Sequence, residues 1–388
     1  MGNRNYHGYL RNGNCPNWLK IWMIKQRADK IFFFLVLILL GIGFVIFYSA
    51  SQSLLSRSNS ADFGLVSIKQ FVVLLIGLVG LIITANIPYK KYRPWAIWIF
   101  LISAILNLLV FLPGIGFGAG GAKRWINLGF TTFQPSEFLK FGFVVYMACW
   151  LSAEKENIKS FSKGILPFLA ILAIPAIILI KEPDTGTFLV LFSAAAAMLL
   201  VSGARWKHII LLLLTMFIAI GALALWKPYV RDRIETFLNP ERDIQGSSYQ
   251  INQSLIAIGS GGINGRGFGQ SIQKFNFLPE AIGDSIFAVL SEEFGFIGSS
   301  LIVILYLIFL VWGLKIAGRI NDSFGRLLAL GIVILIGAQA FINISAMIGL
   351  IPLTGVPLTF ISHGGSALVI ALLEVGIVLN ISRHQNNS

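Results

Sequence analysis

Residues 31–50 read IFFFLVLILLGIGFVIFYSA, an unbroken apolar run without a single charge. A helix rises about 1.5 Å per residue, so a run of this length crosses a hydrocarbon core of about 30 Å with its backbone groups paired internally. Further predominantly apolar runs follow at 70–88, 94–113, 136–152, 165–180, 187–203, 208–226, 285–314, 325–349 and 366–382. Together they predict an all-α polytopic membrane protein of about ten transmembrane helices. The composition agrees: of 388 residues, 56% are hydrophobic and 12% charged, which excludes a water-soluble domain. The first run is too long for the apolar part of a secretory signal, and the chain keeps re-entering the membrane, so it reads as a retained span.

Orientation follows from the Lys and Arg residues, which are preferentially kept on the cytoplasmic side. They gather in the tail (Arg4, Arg11, Lys20, Lys25, Arg27, Lys30) and then in every second connection: Lys90, Lys91 and Arg93; Lys155, Lys159 and Lys163; Arg205 and Lys207; Lys315, Arg319 and Arg326; and finally Arg383. Both termini are therefore expected inside, with a basic cytoplasmic tail at 1–30, a transmembrane domain at 31–382 and a cytoplasmic C-terminus at 383–388. The net charge of +13 is then a topology signal facing anionic lipid rather than a nucleic-acid footprint. Cys15 and Cys149 fall in different compartments, so no disulfide or CxxC site is available, and four scattered His residues do not suggest zinc.

Most connections are short, and the exceptions are 51–69, 114–135 and above all 227–284, which this orientation places outside. A loop of that length with interleaved aromatic and charged residues is expected to pack on the bundle as short helices. Its glycine-rich part, GSGGINGRGFGQ at 259–270, has no βαβ unit around it and fails as a dinucleotide fingerprint. It is either a tight turn or a backbone that approaches an anion, helped by Arg266 and Lys274. Asp284 stands where the loop becomes the eighth span. It is either a helix cap or, beside a partly dehydrated bundle, a carboxylate whose raised pKa suits it to act as a general base. Glu292 and Glu293 are adjacent, so they diverge by about 100° around a helix and at most one faces Asp284.

Other polar groups gather near the same face. Glu137 and Lys140 are neighbours on one helix face, an ion pair or a cavity wall, and Arg124 is an interfacial anchor or a ligand for a diphosphate. Asp184 lies in the turn between the fifth and sixth spans. Gln339 and Asn343 in the ninth span read as an interhelical hydrogen-bond pair, and Glu374 as a buried, paired carboxylate.

Singly modest, these pieces form an ordered set: YSAS at 48–51, AKRWI at 122–126, QPSE at 134–137, EPDTGT at 182–187, QSLIAIGSGG at 253–262, LPE at 278–280, Asp284 and ISHGGS at 361–366. In that order and over nearly the whole membrane portion, the chain resembles the shape, elongation, division and sporulation (SEDS) family. The resemblance implies a peptidoglycan glycosyltransferase of the bacterial cytoplasmic membrane. In that scheme the 4-hydroxyl of one lipid II attacks the anomeric carbon of another glycan chain and expels undecaprenyl diphosphate. It makes Asp284 the catalytic base. Arg124, Lys140, Arg266 and Lys274 become candidates to stabilise the diphosphate, and Gln134, Ser136, Glu137, Asp184, Glu280, Glu292, His363 and Ser366 complete the expected substrate-binding set. No cofactor is implied, and a divalent cation, Mg or Mn, at the diphosphate is left open.

Two positions depart from the family's usual pattern: Ile282-Gly283 stands in place of His-Thr, and His363 in place of Tyr. YSAS at 48–51, EPD at 182–184 and QKFNFLP at 273–279 resemble the division branch; LTGVP at 353–357 resembles the elongation branch. The expected partners are lipid II, a class B penicillin-binding protein for the transpeptidase step and other division or elongation proteins. A lipid flippase or transporter and a noncatalytic division scaffold are the alternatives of other classes.

Overall fold

The protein is described by a computed structural model at residues 28–57, 60–119, 122–127, 129 and 132–385. Most of the basic tail expected at 1–30, with Cys15, lies outside the described residues. The chain runs through α1 (Lys30–Ser51), α2 (Ser60–Asn86) and α3 (Tyr92–Leu108), then three strands, β1 (Gly116–Ala119), β2 (Ala122–Asn127) and β3 (Thr132–Phe133). It continues as α4 (Pro135–Ala153), α5 (Leu166–Lys181), α6 (Thr185–Val201), α7 (Trp206–Trp226), α8 (Pro228–Leu238) and α9 (Tyr249–Ser260). The last three helices are α10 (Ile286–Gly318), α11 (Ser323–Met347) and α12 (Gly365–Ser382).

Among the described residues eight helices are long and apolar enough to cross a membrane: α1, α2, α3, α5, α7, α10, α11 and α12, with α3 and α5 taken together with the short turns that adjoin them. Two more of the expected spans, α4 and α6, lie inside the bundle but fall short of that measure. α4 carries the buried Ser136, Glu137 and Lys140, and α6 has only 17 residues. α11 is the central helix, buried along most of its length. α7 is peripheral, and its Phe217 and Leu225 are exposed, as befits side chains whose solvent is lipid.

The two ends of the bundle differ in kind. At one end Tyr89 N donates to Asn380 Oδ1 at 2.9 Å, Asn380 Nδ2 to Ala85 O at 2.9 Å and Trp312 Nε1 to Asp29 Oδ1 at 3.0 Å, while the Tyr89 ring packs on Phe324 and His384. The short basic connections around Lys90, Lys315, Arg326 and Arg383 belong to this end. The opposite end carries the long connections. Two of these differ from expectation. The segment expected as a loop at 51–69 is helical from Ser60 onward as an extension of α2. The 114–135 loop folds into a three-stranded antiparallel sheet, because Phe117 pairs with Trp125 and Ile126 with Phe133 across its strands. The 227–284 stretch forms α8 and α9, the short helices its composition called for.

The glycine-rich run has a structural task. α10 is broken at Gly295, where φ is 64° and ψ is −162°, and the break frees the groups that would have bonded Glu292 to Phe296 and Glu293 to Ile297. Each finds a partner in the run. Arg266 N donates to Glu292 O at 3.0 Å and Gly267 N to Glu293 O at 2.9 Å, while Gly262 O and Ile263 O accept from Phe296 N and Ile297 N at 2.9 and 3.2 Å. Side chains do not fit between backbones so close: a Cβ on Gly265, at φ +81°, would lie 2.2 Å from Glu293 O. The glycines thus serve the repair of a broken helix, the tight-turn alternative of the two left open by the sequence.

Candidate active site at the long-loop end

Asp284 is not the cap of α10; Ser285 occupies that position. The peptide around Asp284 is instead held by its carbonyls. His363 N donates to Ile282 O at 2.7 Å, Ser362 Oγ to Gly283 O at 2.8 Å and Asn343 Nδ2 to Asp284 O at 2.8 Å. Asn343 also donates to Val356 O at 2.8 Å, so one side chain of the central helix fixes both Asp284 and the 353–364 segment facing it. The sequence reading of Gln339 and Asn343 as an interhelical hydrogen-bond pair holds in part, since Gln339 Oε1 accepts from Lys140 of α4. Both donate outward to this segment, Gln339 Nε2 to Pro357 O at 3.1 Å, because its irregular backbone leaves carbonyls that need donors.

With its backbone fixed, the half-buried carboxylate of Asp284 opens into a cavity of about 340 Å³, lined also by Arg124, Arg233, Gln250 and Gly355. Gly355 has φ +71°, and a Cβ placed on it would lie 3.4 Å from Asp284 Oδ2, 3.6 Å from Arg233 Nη2 and 4.0 Å from Arg124 Nη1. One carboxylate and two guanidinium groups thus converge on a single point that only glycine leaves open. Burial pushes the Asp284 carboxyl up to about 6; Glu280 and Asp184 push the same way and Arg124 and Arg233 oppose.

The arginines are aimed by their own contacts. Arg124, on β2, donates from Nε to Glu182 O at 3.1 Å and from Nη2 to Pro183 O. Arg233, on α8, donates to Thr185 Oγ1 at 3.3 Å and Thr354 O at 3.2 Å, and burial, reinforced by Arg124, holds its guanidinium below the usual arginine range. Sequence reading missed Arg233, although the signal was present. Val230, Ile234 and Phe237 mark the apolar stripe of α8, and Arg233 sits among them at helical spacing, a charge on the buried face.

Asp184 caps α6, accepting from Thr187 N at 3.1 Å and Thr187 Oγ1 at 2.8 Å. Beside it, neither carboxylate oxygen of the buried Glu182 has a hydrogen-bond partner among the described residues. Burial, then Asp184, pushes its carboxyl up from 4.5 to about 8, against Arg124. An acid whose folded pKa is raised binds more protons folded than unfolded, so stability falls as pH rises from 4.5 to about 8. Glu182→Gln is expected to be as stable as the parent at the low end of that window and more stable at the high end. Thermal unfolding followed across pH checks this, and an unchanged pH dependence would refute it.

Glu280 stays close enough to Asp284 to raise its carboxyl, and most of the other expected residues fall into three other places. Glu137 and Lys140 form a buried ion pair at 2.9 Å, and Lys140 also donates to Gln339. Glu374 is buried within electrostatic reach of the same lysine but, against expectation, forms no ion pair among the described residues, and its Oε1 has no hydrogen-bond partner there. Ser366 Oγ accepts from Gln134 N at 3.0 Å, so those two residues tie β3 to α12, next to the buried Ser136. Around the α10 break, the fully buried Lys274 pairs with Glu293 at 2.8 Å. Glu292 accepts from Ser271 Oγ at 2.6 Å and Ile272 N at 3.0 Å, with Arg266 at 3.5 Å. None of these lines the Asp284 cavity. The ring of His363 stacks on Phe47 and meets Gln70 Oε1 at 3.1 Å; it too is turned away, and it is its backbone that serves Asp284. Among the described residues no group of three or more His, Cys, Asp or Glu side chains is arranged to hold a metal ion, so no resident metal site supports the divalent cation that the resemblance left open.

Known proteins share both the sequence and the architecture. Stage V sporulation protein E of Bacillus subtilis is 39% identical over 360 residues, 93% of this chain and 98% of that protein. The probable peptidoglycan glycosyltransferase FtsW of a Geobacter species (strain M18) is 38% identical over 92% of this chain and 97% of its own length. Among solved structures, a chain from a peptidoglycan synthase complex superposes with a TM-score of 0.76 at 27% identity, covering 93% of this chain and 99% of that one. The rod shape determining protein RodA of Thermus thermophilus does so with a TM-score of 0.69 at 25% identity, covering 96% and 100%. The model of the cell cycle protein family that groups FtsW, RodA and SpoVE matches residues 29–387, and the chain belongs to that family.

Proposed function

We propose that this protein is a peptidoglycan glycosyltransferase of the bacterial cytoplasmic membrane that polymerises lipid II for septal synthesis in cell division. The observation that carries the reading is the convergence of Asp284, Arg124 and Arg233 on the open point before Gly355. The relatives named as FtsW, 38–39% identical over more than nine tenths of the chain, support the division branch. The topology that goes with this has ten spans, α4 and α6 included, with both termini cytoplasmic. The gathering of the short basic connections at one end of the bundle supports that orientation, in which the cavity faces outside.

In this reading Asp284 accepts the proton of the attacking 4-hydroxyl as the oxygen bonds to the anomeric carbon, and the bond from that carbon to the undecaprenyl diphosphate oxygen breaks. Arg124 and Arg233 face the leaving diphosphate, whose charge grows as the bond breaks, in a partly dehydrated site where preorganised cations stabilise it most. Asn343, Ser362 and the backbone of His363 hold the base in place. Lys274 and Arg266, which serve the α10 break, leave the diphosphate to these two arginines. Crosslinking is left to a class B penicillin-binding protein, in keeping with the synthase complex to which the fold is similar.

The test is direct. The full chain, purified with its class B partner and supplied with lipid II, is expected to yield glycan polymer. Movement of lipid II across proteoliposomes without polymer would overturn the reading in favour of a transporter.

A further inference from the structure

A second cavity, of about 280 Å³, adjoins the first at the long-loop end, and the two share the lining residues Asp232, Thr236 and Ser247. The partition between them is thin: Thr236 Oγ1 and Ser247 Oγ are hydrogen-bonded to each other at 3.2 Å. The charges on its two sides differ. Beyond the shared Asp232, the cavity of Asp284 is lined by two arginines and one carboxylate. The second is lined by Asp232, Glu235 and Asp243 against the single Arg242.

Its cations are already engaged. Arg242 pairs with Glu235 Oε2 at 3.2 Å, and Arg231 takes the other oxygen of that carboxylate at 2.6 Å. Asp243 uses Oδ2 to accept from Ser247 N at 2.8 Å. Asp232 has no hydrogen-bond or ion-pair partner among the described residues. The second cavity is also lined by Ser248, which is 1% exposed and whose Oγ is buried without a hydrogen-bond partner. A buried hydroxyl left unsatisfied marks a place where a ligand group completes the bonding.

We propose that this second cavity is a subsite for the peptide carried by the lipid-linked sugar, and that it holds a positively charged amino group of that peptide between Asp232 and Asp243. The inference rests on the glycosyltransferase reading and adds a substrate determinant to it. A substrate that is anionic at its diphosphate and bears an ammonium on its peptide matches the order of charges across the partition: arginines around Asp284, carboxylates beyond Thr236 and Ser247. Ser248 Oγ supplies a further contact to a peptide carbonyl or amide. Asp232 and Asp243 are exposed, so an ammonium between them makes charge-assisted bonds that water screens, and loss of the charge lowers affinity by about two- to fivefold.

The experiment compares two lipid II preparations, one with a free side-chain amine on its peptide and one with that amine acetylated. Both are given to the full chain with its class B partner and to the Asp232→Asn and Asp243→Asn variants. The parent is expected to prefer the free amine by about two- to fivefold in kcat/KM, expressed in KM. Either variant is expected to lose most of that preference by raising KM for the free amine alone. Equal use of the two substrates by the parent would overturn the proposal without touching the polymerase reading, and so would full retention of the preference in both variants. Polymer from neither substrate would instead overturn the polymerase reading itself. The comparison in the parent stands even where a variant fails to fold.

Discussion

Asp284→Asn is expected to lower lipid II polymerisation by about 10²–10⁴-fold while leaving the fold intact or slightly more stable. The size of the loss is that of removing a positioned general base. The effect on stability follows from the raised pKa of the parent carboxyl, about 6 against an ordinary 3.8. The folded protein holds this proton more tightly than the unfolded chain, so the ionised group costs stability above pH 6 and nothing below its ordinary value. At about 1.36 kcal/mol for each tenfold change in acidity, that cost is at most about 3 kcal/mol, and the amide relieves it. Polymer yield measured beside thermal unfolding separates the two effects, and an active variant would end the assignment of the base.

The parent's rate should carry the same signature. A base works only when ionised, so the rate is expected to be level well above pH 6 and to fall about tenfold per unit below it. A profile flat through pH 6 would exclude Asp284 as the base.

Lys274→Met is expected to destabilise the protein by about 3–5 kcal/mol, the range found when one member of a buried ion pair is removed. Lys274 is wholly buried. Its Nζ lies 2.8 Å from Glu293 Oε1, and it also donates to Ser49 Oγ at 3.0 Å and Gly269 O at 2.9 Å. Its loss leaves Glu293 buried with only the Ser49 hydroxyl, at 2.6 Å, to satisfy it. The pair also joins α1 to the glycine-rich run that repairs α10, so the damage spreads to the helix leading down from Asp284. Adding Glu293→Gln should recover part of the loss, because the stranded charge is then gone. A fall in Tm on the order of 10 °C for the single variant, partly restored in the double, is the expected result. A single variant as stable as the parent would show that the pair contributes nothing.

The fold class was legible because membrane spans are written in composition: apolar runs such as 31–50 and 208–226 have no other stable use. Loops were less legible. The sheet at 116–133 rests on pairings such as Phe117 with Trp125, which join separate strands and leave no periodicity in the sequence. The break at Gly295 is invisible in a run that reads as one apolar helix. For the same reason the glycines at 259–269 admitted two readings until their partner, the opened backbone of α10, was in view. Of the four cations expected at a diphosphate, only Arg124 lies beside Asp284. Lys140, Arg266 and Lys274 are drawn to carboxylates elsewhere, at Glu137, Glu292 and Glu293, because charges under a bundle surface settle with the nearest opposite charge. Arg233 stands in their place beside Asp284.

By itself the sequence determined that the chain lives in a membrane, that its basic connections alternate, and that Asp284 stands at the mouth of a span; hydropathy, charge and local order along the chain suffice for each. Only the tertiary structure decided that Asp284 is a half-buried carboxylate facing two arginines rather than a helix cap. That choice depends on Arg124, Arg233, Asn343 and Gly355, which lie on four separate segments, and the raised pKa arises only where their packing has excluded water.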